Sequence, residues 1–305
     1  MEIPSFNALI QKSIVDHWDM DALTDYKGAT LQYHDVARKI EKLHIMFENS
    51  GVVKGDKIAL CGRNSANWAV AFLATLTYGA IAVPILHEFM PDQIHNIVNH
   101  SESKLLFVGD YIVKTIDEKE MPNLSGILNL PDFSLHTCRN EKLAYAREHL
   151  NELFGKKYPM AFRKEDIHWH VDSPEELCML NYTSGTTGFS KGVMLPYRAV
   201  WGNVSFCMNA LAPRLPKFSK ILSILPMAHM YGQAIELLKT QKLRDMVIDI
   251  ETDGSFDINR QEENILKVLS NINEMISQAF GIVSQQPALL PLYRQMIEAA
   301  AALLS

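Results

Sequence analysis

The residues best suited to do chemistry in this chain form one run, Tyr182-Thr183-Ser184-Gly185-Thr186-Thr187-Gly188-Phe189-Ser190-Lys191-Gly192. Glycines at 185, 188 and 192 let the backbone turn sharply and approach a ligand closely. Successive N–H groups in such a turn can share one concavity, which favours an anion. The hydroxyls of Thr183, Ser184, Thr186 and Thr187 add donors for phosphate oxygens, and Lys191 adds a positive charge on a flexible stem. The chemistry implied is the holding of a polyphosphate. The run is not the G-x-x-x-x-G-K-[ST] phosphate loop, because the glycine spacing differs and Gly192 follows Lys191. By composition alone it equally fits a flexible surface loop.

Two short apolar runs must position it. Leu177-Cys178-Met179-Leu180 reads as a buried strand entering the bend, and Val193-Met194-Leu195 before Pro196 as a strand leaving it. Arg198 to Leu211 reads as a helix whose N-terminus is expected near the cradle, where its dipole would reinforce phosphate binding.

The order Tyr-Thr-Ser-Gly-Thr-Thr-Gly-Phe-Ser-Lys-Gly-Val resembles the phosphate-loop signature of the adenylate-forming superfamily. Leu225-Pro226-Met227-Ala228-His229-Met230-Tyr231-Gly232 resembles that family's next motif, and residues 63–86 its earlier one: an arginine–asparagine turn, a helix and an Ala-Val-Pro strand. The resemblance covers about residues 1–233 and is closest to bacterial long-chain fatty acid–CoA ligases. It implies a ligase using ATP, Mg²⁺ and CoA, in which a fatty acid carboxylate is adenylated and then passed to the CoA thiol. Thr183, Ser184, Gly185, Thr186, Thr187, Gly188 and Lys191 would hold the nucleotide phosphates. His229, Tyr231 and Gly232 would bind substrate, with His229 lining the acyl pocket and Gly232 keeping the channel open. No catalytic residue and no protein metal ligand is assigned.

After Gln233 the resemblance ends. The family's later motifs are a Tyr-Gly-x-Thr-Glu run, a Thr-Gly-Asp, and a small domain with a lysine that contacts the adenylate. None is found in residues 234–305. The expectation is a partial AMP-binding domain over 1–233, truncated and weakly active or inactive, joined to an unrelated strand-plus-helices tail over 234–305. The stretch from Lys242 through Pro291 is similar to a C-terminal part of tailed-phage portal proteins, which raises the possibility of a chimera. Asn264 to Phe280 and Leu289 to Leu304 read as apolar-faced helices, the second a possible self-association surface. Asp249 to Gly254 resembles the start of a calcium loop, but Arg260 stands where the closing glutamate belongs. The alternatives are a non-catalytic nucleotide-binding module with a helical interaction tail, or a chimeric fragment without function.

The 305-residue chain is 48% hydrophobic and carries a formal net charge of -6, which argues for a globular core and against nucleic acid as a partner. Its four cysteines show no paired spacing; Cys61 and Cys178 lie in apolar runs, as buried thiols would in a reducing cytoplasm. No signal peptide is visible at the N-terminus. The most apolar stretch, Ala69 to Leu86, contains Thr75, Thr77, Gly79 and Pro84 and reads as a buried helix and strand, not a membrane span.

Strands and helices alternate through the first half. Helices are expected over Ile3–His17, Tyr33–Asn49, Ala66–Tyr78 (capped by Ser65), Pro91–His100 and Glu141–Phe154. Strands are expected at Ile58–Cys61, Ile81–Ile85, Leu105–Val108 and Ile127–Leu130. On the second helix Val36, Ile40, Leu43 and Phe47 form the apolar stripe, with Arg38, Lys39, Glu41 and Lys42 outside it. This pattern predicts an α/β fold with a mostly parallel sheet flanked by helices. Gly62-Arg63-Asn64-Ser65 reads as a capped turn, and His168-Trp169-His170 as a solvated segment in preference to a metal site.

Overall fold

The computed structural model describes residues 5–25, 27–183, 191–210 and 227–228, all within one compact unit. In chain order these form α1 (Phe6–Asp16), β1 (Asp21–Thr24), β2 (Thr30–Gln32), α2 (Tyr33–Ser50), β3 (Lys57–Cys61), α3 (Ala66–Tyr78), β4 (Ile81–Ile85), α4 (Pro91–His100), β5 (Leu105–Val108), β6 (Gly126–Asn129), β7 (Leu135–Cys138), α5 (Glu141–Glu148), α6 (Leu150–Lys157), β8 (Leu177–Thr183), β9 (Lys191–Pro196) and α7 (Tyr197–Ala210). The predicted tail helices, the calcium-like loop and the portal-like stretch lie outside the described residues.

The main sheet has the order β7-β6-β5-β3-β4-β8-β9. Its five inner strands are parallel, and the two edge strands, β7 and β9, run antiparallel to their neighbours. Strands β3 to β6 are apolar on both sides because both faces are covered. Ile58 and Leu60 of β3 face the layer holding α1, α2 and α3, while Ala59 and Cys61 face the layer holding α4. The step from β3 to β4 and the return past β3 to β5 go in opposite directions. Right-handed crossovers therefore place α3 and α4 on opposite faces.

Local chemistry sets the helix ends. The Ser65 hydroxyl accepts from the Trp68 N–H to start α3, and Gly79 ends it at φ 83°. A side chain at Gly79 would also meet the His170 ring at 2.9 Å. The helix expected over Glu141–Phe154 is instead two, α5 and α6, broken at His149 (φ -101°, ψ 21°). There both the backbone N–H and the ring Nδ1 of His149 turn back to the Tyr145 carbonyl. Strand β7 was not expected: Leu135-His136-Thr137-Cys138 is a half-exposed edge strand with weak apolar alternation, and its pairing with β6 defines it.

Glu41, expected on the outer side of α2, is 3% exposed. Its carboxylate accepts from the Trp169 indole at 2.7 Å, the Tyr158 hydroxyl at 2.5 Å and the Lys157 ammonium at 3.2 Å. Burial alone would push this carboxyl up. His44, Tyr158, Lys157 and Trp169 together outweigh burial and hold it below the ordinary value. The expected solvated character of His168-Trp169-His170 holds only for His168. Trp169 is buried on Glu41, and His170 bonds Glu176 at 2.7 Å. Among the described residues no cluster of His, Cys, Asp or Glu could hold a metal ion. No described helix is long and apolar enough to cross a membrane.

A second buried carboxylate, Asp172, accepts from Ser5 Oγ, the Phe6 N–H and the Asn7 N–H at 2.8, 3.0 and 2.7 Å. It satisfies the free amides at the start of α1 and ties that helix to the segment entering β8. Asp172→Ala strands these donors and is expected to destabilise by about 3 kcal/mol. The denaturant midpoint measures this, and an unchanged midpoint would contradict the assignment. His44, buried beside Glu41, has its imidazole pushed down to about 4 by burial. Its unfolded value is about 6.5, so the unfolded chain takes up a proton first as pH falls. Stability is therefore full above about pH 6.5 and declines toward about pH 4, by on the order of 3 kcal/mol. His44→Gln, which keeps a donor for the Ala74 carbonyl, is expected to flatten that acid slope in equilibrium unfolding.

Candidate functional site

All five parallel strands end at one edge of the sheet, and the site is built there. Strand β8 carries the chain to this edge between two covered layers, with Cys178 and Met179 buried on one side and Tyr182 on the other. Strand β9 returns antiparallel, in register from Met179↔Leu195 to Thr183↔Lys191, with a register shift between Met179 and the Leu177↔Pro196 pair. Thr183 and Lys191 are thus direct partners across the base of the bend. Thr183 is the last residue of β8, and Lys191 is the exposed first residue of β9. Ser184, Gly185, Thr186, Thr187 and Gly188 lie outside the described residues. A side chain at Gly192 would come 3.1 Å from the Tyr182 ring, so the backbone beside Lys191 packs directly on that ring. The Tyr182 hydroxyl shares a 2.7 Å hydrogen bond with His100 Nδ1, which fixes the ring against α4.

The thiols here are chemically quiet. Burial pushes Cys61 up to about 12 and raises Cys178 as well, and the Cys178 thiol donates to the Leu195 carbonyl at 3.2 Å.

The connections that follow the parallel strands β3 and β5 leave toward opposite sides of the sheet, so the topological switch point lies between their ends. A Cβ on Gly62 would lie 2.5 Å from Leu130 and 3.5 Å from the Gly109 nitrogen, so the two strand exits touch through glycine. The Arg63 guanidinium lies 4.6 Å from the Tyr111 ring centroid. The start of α3 is already satisfied: Asp25 accepts the Ala66 N–H at 2.7 Å and Ser65 accepts the Trp68 N–H at 3.1 Å. The capped-turn reading of residues 62–65 holds for Ser65, but Asn64 does more. Its Oδ1 accepts from the Met227 N–H at 2.8 Å. Met227 and Ala228, at 2% and 8% exposure, are thereby held at the edge that carries Lys191. Sequence reasoning missed this bond; the only hint was that both segments belong to motifs of one resemblance. His229, Tyr231 and Gly232 lie outside the described residues.

One expectation is corrected. The N-terminus of α7 is not near the bend. It follows Pro196, which pairs with Leu177 at the opposite end of the hairpin, about 17 Å from Lys191 over five residue steps of strand. Its first turn is used locally: the Arg198 N–H donates to the Pro174 carbonyl, the Arg198 side chain pairs with Glu175 at 2.9 Å, and the Tyr197 hydroxyl donates to the Leu76 carbonyl at 2.9 Å. Strand β9 is longer than the apolar run suggested, and its residues between Lys191 and Pro196 carry the chain away from the site.

Residues 10–248 match the AMP-binding enzyme family, a span that passes Gln233, where the motif reading ended, by 15 residues. Fatty acyl-CoA synthetase A of Dictyostelium discoideum is 27% identical over 214 residues, 69% of this chain and 30% of that protein. The long-chain-fatty-acid–CoA ligase of Bacillus subtilis is 25% identical over 254 residues, 76% of this chain and 44% of that one. The chain spans about a third of the length of the first curated relatives it matches. The fold resembles the N-terminal domain of FACL13 from Mycobacterium tuberculosis, with TM-score 0.62, 18% identity, and coverage of 80% of this chain and 57% of that one. It also resembles a long-chain-fatty-acid-CoA ligase from Archaeoglobus fulgidus, with TM-score 0.62, 19% identity, and coverage of 81% and 47%. The portal-like resemblance finds no counterpart among these relatives. A strand-end hairpin closed by Thr183 and Lys191, the sheet order around it and the match over residues 10–248 agree: the chain belongs to the AMP-binding enzyme family.

Proposed function

We propose that this chain is the phosphate-holding part of an ATP-dependent fatty acid–CoA ligase. A fatty acid carboxylate oxygen attacks the α-phosphorus of ATP and pyrophosphate leaves. The CoA thiol then attacks the acyl carbon, and AMP leaves as the thioester forms. The observation that carries this reading is the Thr183↔Lys191 register, which brings a lysine back to the strand end where the hydroxyl- and glycine-rich bend begins. In this role Lys191 places its ammonium against the β- and γ-phosphates, with Thr183, Ser184, Gly185, Thr186, Thr187 and Gly188 supplying amide and hydroxyl donors. Such chemistry is positioning and charge stabilisation. His229, Tyr231 and Gly232 come within five residues after Met227, which Asn64 holds at the same edge, and they would shape the acyl side.

Mg²⁺ in this reading arrives on the ATP phosphates. When bound it would screen phosphate charge. Buried, protonated Cys61 and Cys178 support a reducing, cytoplasmic setting. Residues 234–305 lack the acidic, ribose-binding and adenylate-contacting motifs of the resemblance. Each such missing contact costs on the order of 10²–10³ in rate, so the 305-residue chain alone is expected to bind ATP but turn over weakly.

Lys191→Ala is expected to weaken ATP binding about tenfold or more, the loss of one charge-assisted contact. Calorimetric titration reads this, and equal affinity in both proteins would remove the phosphate role. Pyrophosphate release from ATP with palmitate is expected to be slow for the chain by itself. Sustained rapid turnover would show that the residues present suffice for catalysis.

A further inference from the structure

A groove at the other side of the sheet carries cations that the adenylation reading does not use. It is a cavity of about 480 Å³ between the first half of α2, the β6–β7 turn and the α5–α6 pair, with Leu43, Met46 and Phe133 in its wall. Lys39, Lys42 and Arg147 all line it, and all three are half-buried. Their partners are neutral. Lys39 donates to Asn67 Oδ1 at 3.2 Å, Lys42 to Asn151 Oδ1 at 2.7 Å, and Arg147 to the Phe133 and Asp132 carbonyls at 2.8 and 3.3 Å. Among the described residues none of the three forms an ion pair. Three carboxylates line the groove as well: Asp35 pairs with Arg38 at 3.1 Å and accepts the Gln32 N–H, Asp132 accepts the Ser134 N–H at 2.9 Å and lies within Coulombic reach of Arg147, and Glu148 is exposed.

Half-burying three cations whose hydrogen-bond partners are all neutral is costly, and the fold gathers them here. Burial, followed by the like charges of Arg38, Lys39 and Arg147, holds the Lys42 ammonium below its ordinary value; burial lowers Lys39 too, against the pull of Asp35 and Asp25. The aromatic wall is itself held under tension. Phe133 is 8% exposed and sits at φ 56°, a left-handed conformation that bulky residues rarely adopt. Its ring packs edge-on to Phe107, with the Lys39 ammonium 5.5 Å from its centroid.

We propose that this groove binds an organic phosphate monoester, its phosphate among Lys39, Lys42 and Arg147 and its apolar part against Phe133 and Leu43. A phosphate monoester carries close to two negative charges at neutral pH and several acceptor oxygens, which answers three cationic side chains lining one cavity better than a carboxylate does. The site is distinct from the bend at Lys191: β6 and β8 are four inter-strand spacings apart, about 19 Å. The inference therefore stands whether or not the chain adenylates a fatty acid.

The test uses the whole chain with two probes, phenyl phosphate in solution and phosphatidylcholine vesicles with or without phosphatidic acid. Saturable binding of phenyl phosphate is expected, weakened tenfold or more by Lys42→Gln and by Arg147→Gln and unchanged by Lys191→Ala. Charge-retaining Lys42→Arg is expected to bind as the parent does, and Lys39→Gln replaces any variant whose melting curve shows it unfolded. If only phosphatidate vesicles bind, with the same dependence on Lys42 and Arg147, the proposal holds with a lipid headgroup as the source. No binding of either probe, binding indifferent to the groove variants, or binding lost in Lys191→Ala would each overturn it.

Discussion

Burial of both faces of the β3–β4–β5 ladder is the constraint on which the rest depends. Strands that run in the same direction cannot be joined by a hairpin, so β3, β4 and β5 are each followed by a crossover over one face of the sheet. All parallel strands then finish at one edge, where polar loops can gather without breaking the ladder. Gly62, Leu86, Gly109, Leu130 and Thr183 follow or end strands at this edge. The apolar side chains do the holding, and the edge is left to chemistry.

Against that background the antiparallel strand β9 has a definite consequence. A parallel continuation after Thr183 would have carried the chain away through a helix, with no basic residue returned to the edge. The antiparallel pairing places Lys191 opposite Thr183 and packs Gly192 on the Tyr182 ring. It also sends α7 to the far end, where Tyr197, Asn7 and the Leu76 carbonyl lock it to α1 and α3. Phosphate holding in this reading therefore rests on backbone amides, hydroxyls and one lysine, without a helix dipole.

The buried polar groups divide into two kinds. Glu41 and Asp172 are carboxylates with all their strong partners supplied by the chain, and each joins segments more than a hundred residues apart. They make the packing specific, and removing one member strands the others. Lys39, Lys42 and Arg147 are the opposite case, cations with neutral partners facing a cavity. The contrast between carboxylates closed into networks and half-buried cations with neutral hydrogen-bond partners sets the groove apart from ordinary surface charge.

Much of the fold was legible because its signals are local. The Ser65 cap, the Gly51 and Gly79 stops, Pro91 at the start of α4 and the apolar runs of β3, β4 and β5 are short-range features. They determined the elements and their α/β alternation, and the order of hydroxyls, glycines and Lys191 determined the family and the candidate phosphate residues. What tertiary structure alone decided is where distant residues meet. Glu41 looked solvent-facing by helical periodicity, yet Trp169, Tyr158 and Lys157 enclose it. Asn64 looked like part of a cap, yet it holds Met227. The position of α7 was inverted because strand length, and hence which end of the hairpin it leaves from, comes from ladder pairing and not from apolarity. Periodicity reports which side of an element is apolar; it carries no information about which polar partner another element delivers, because that depends on register and crossover direction across the whole sheet.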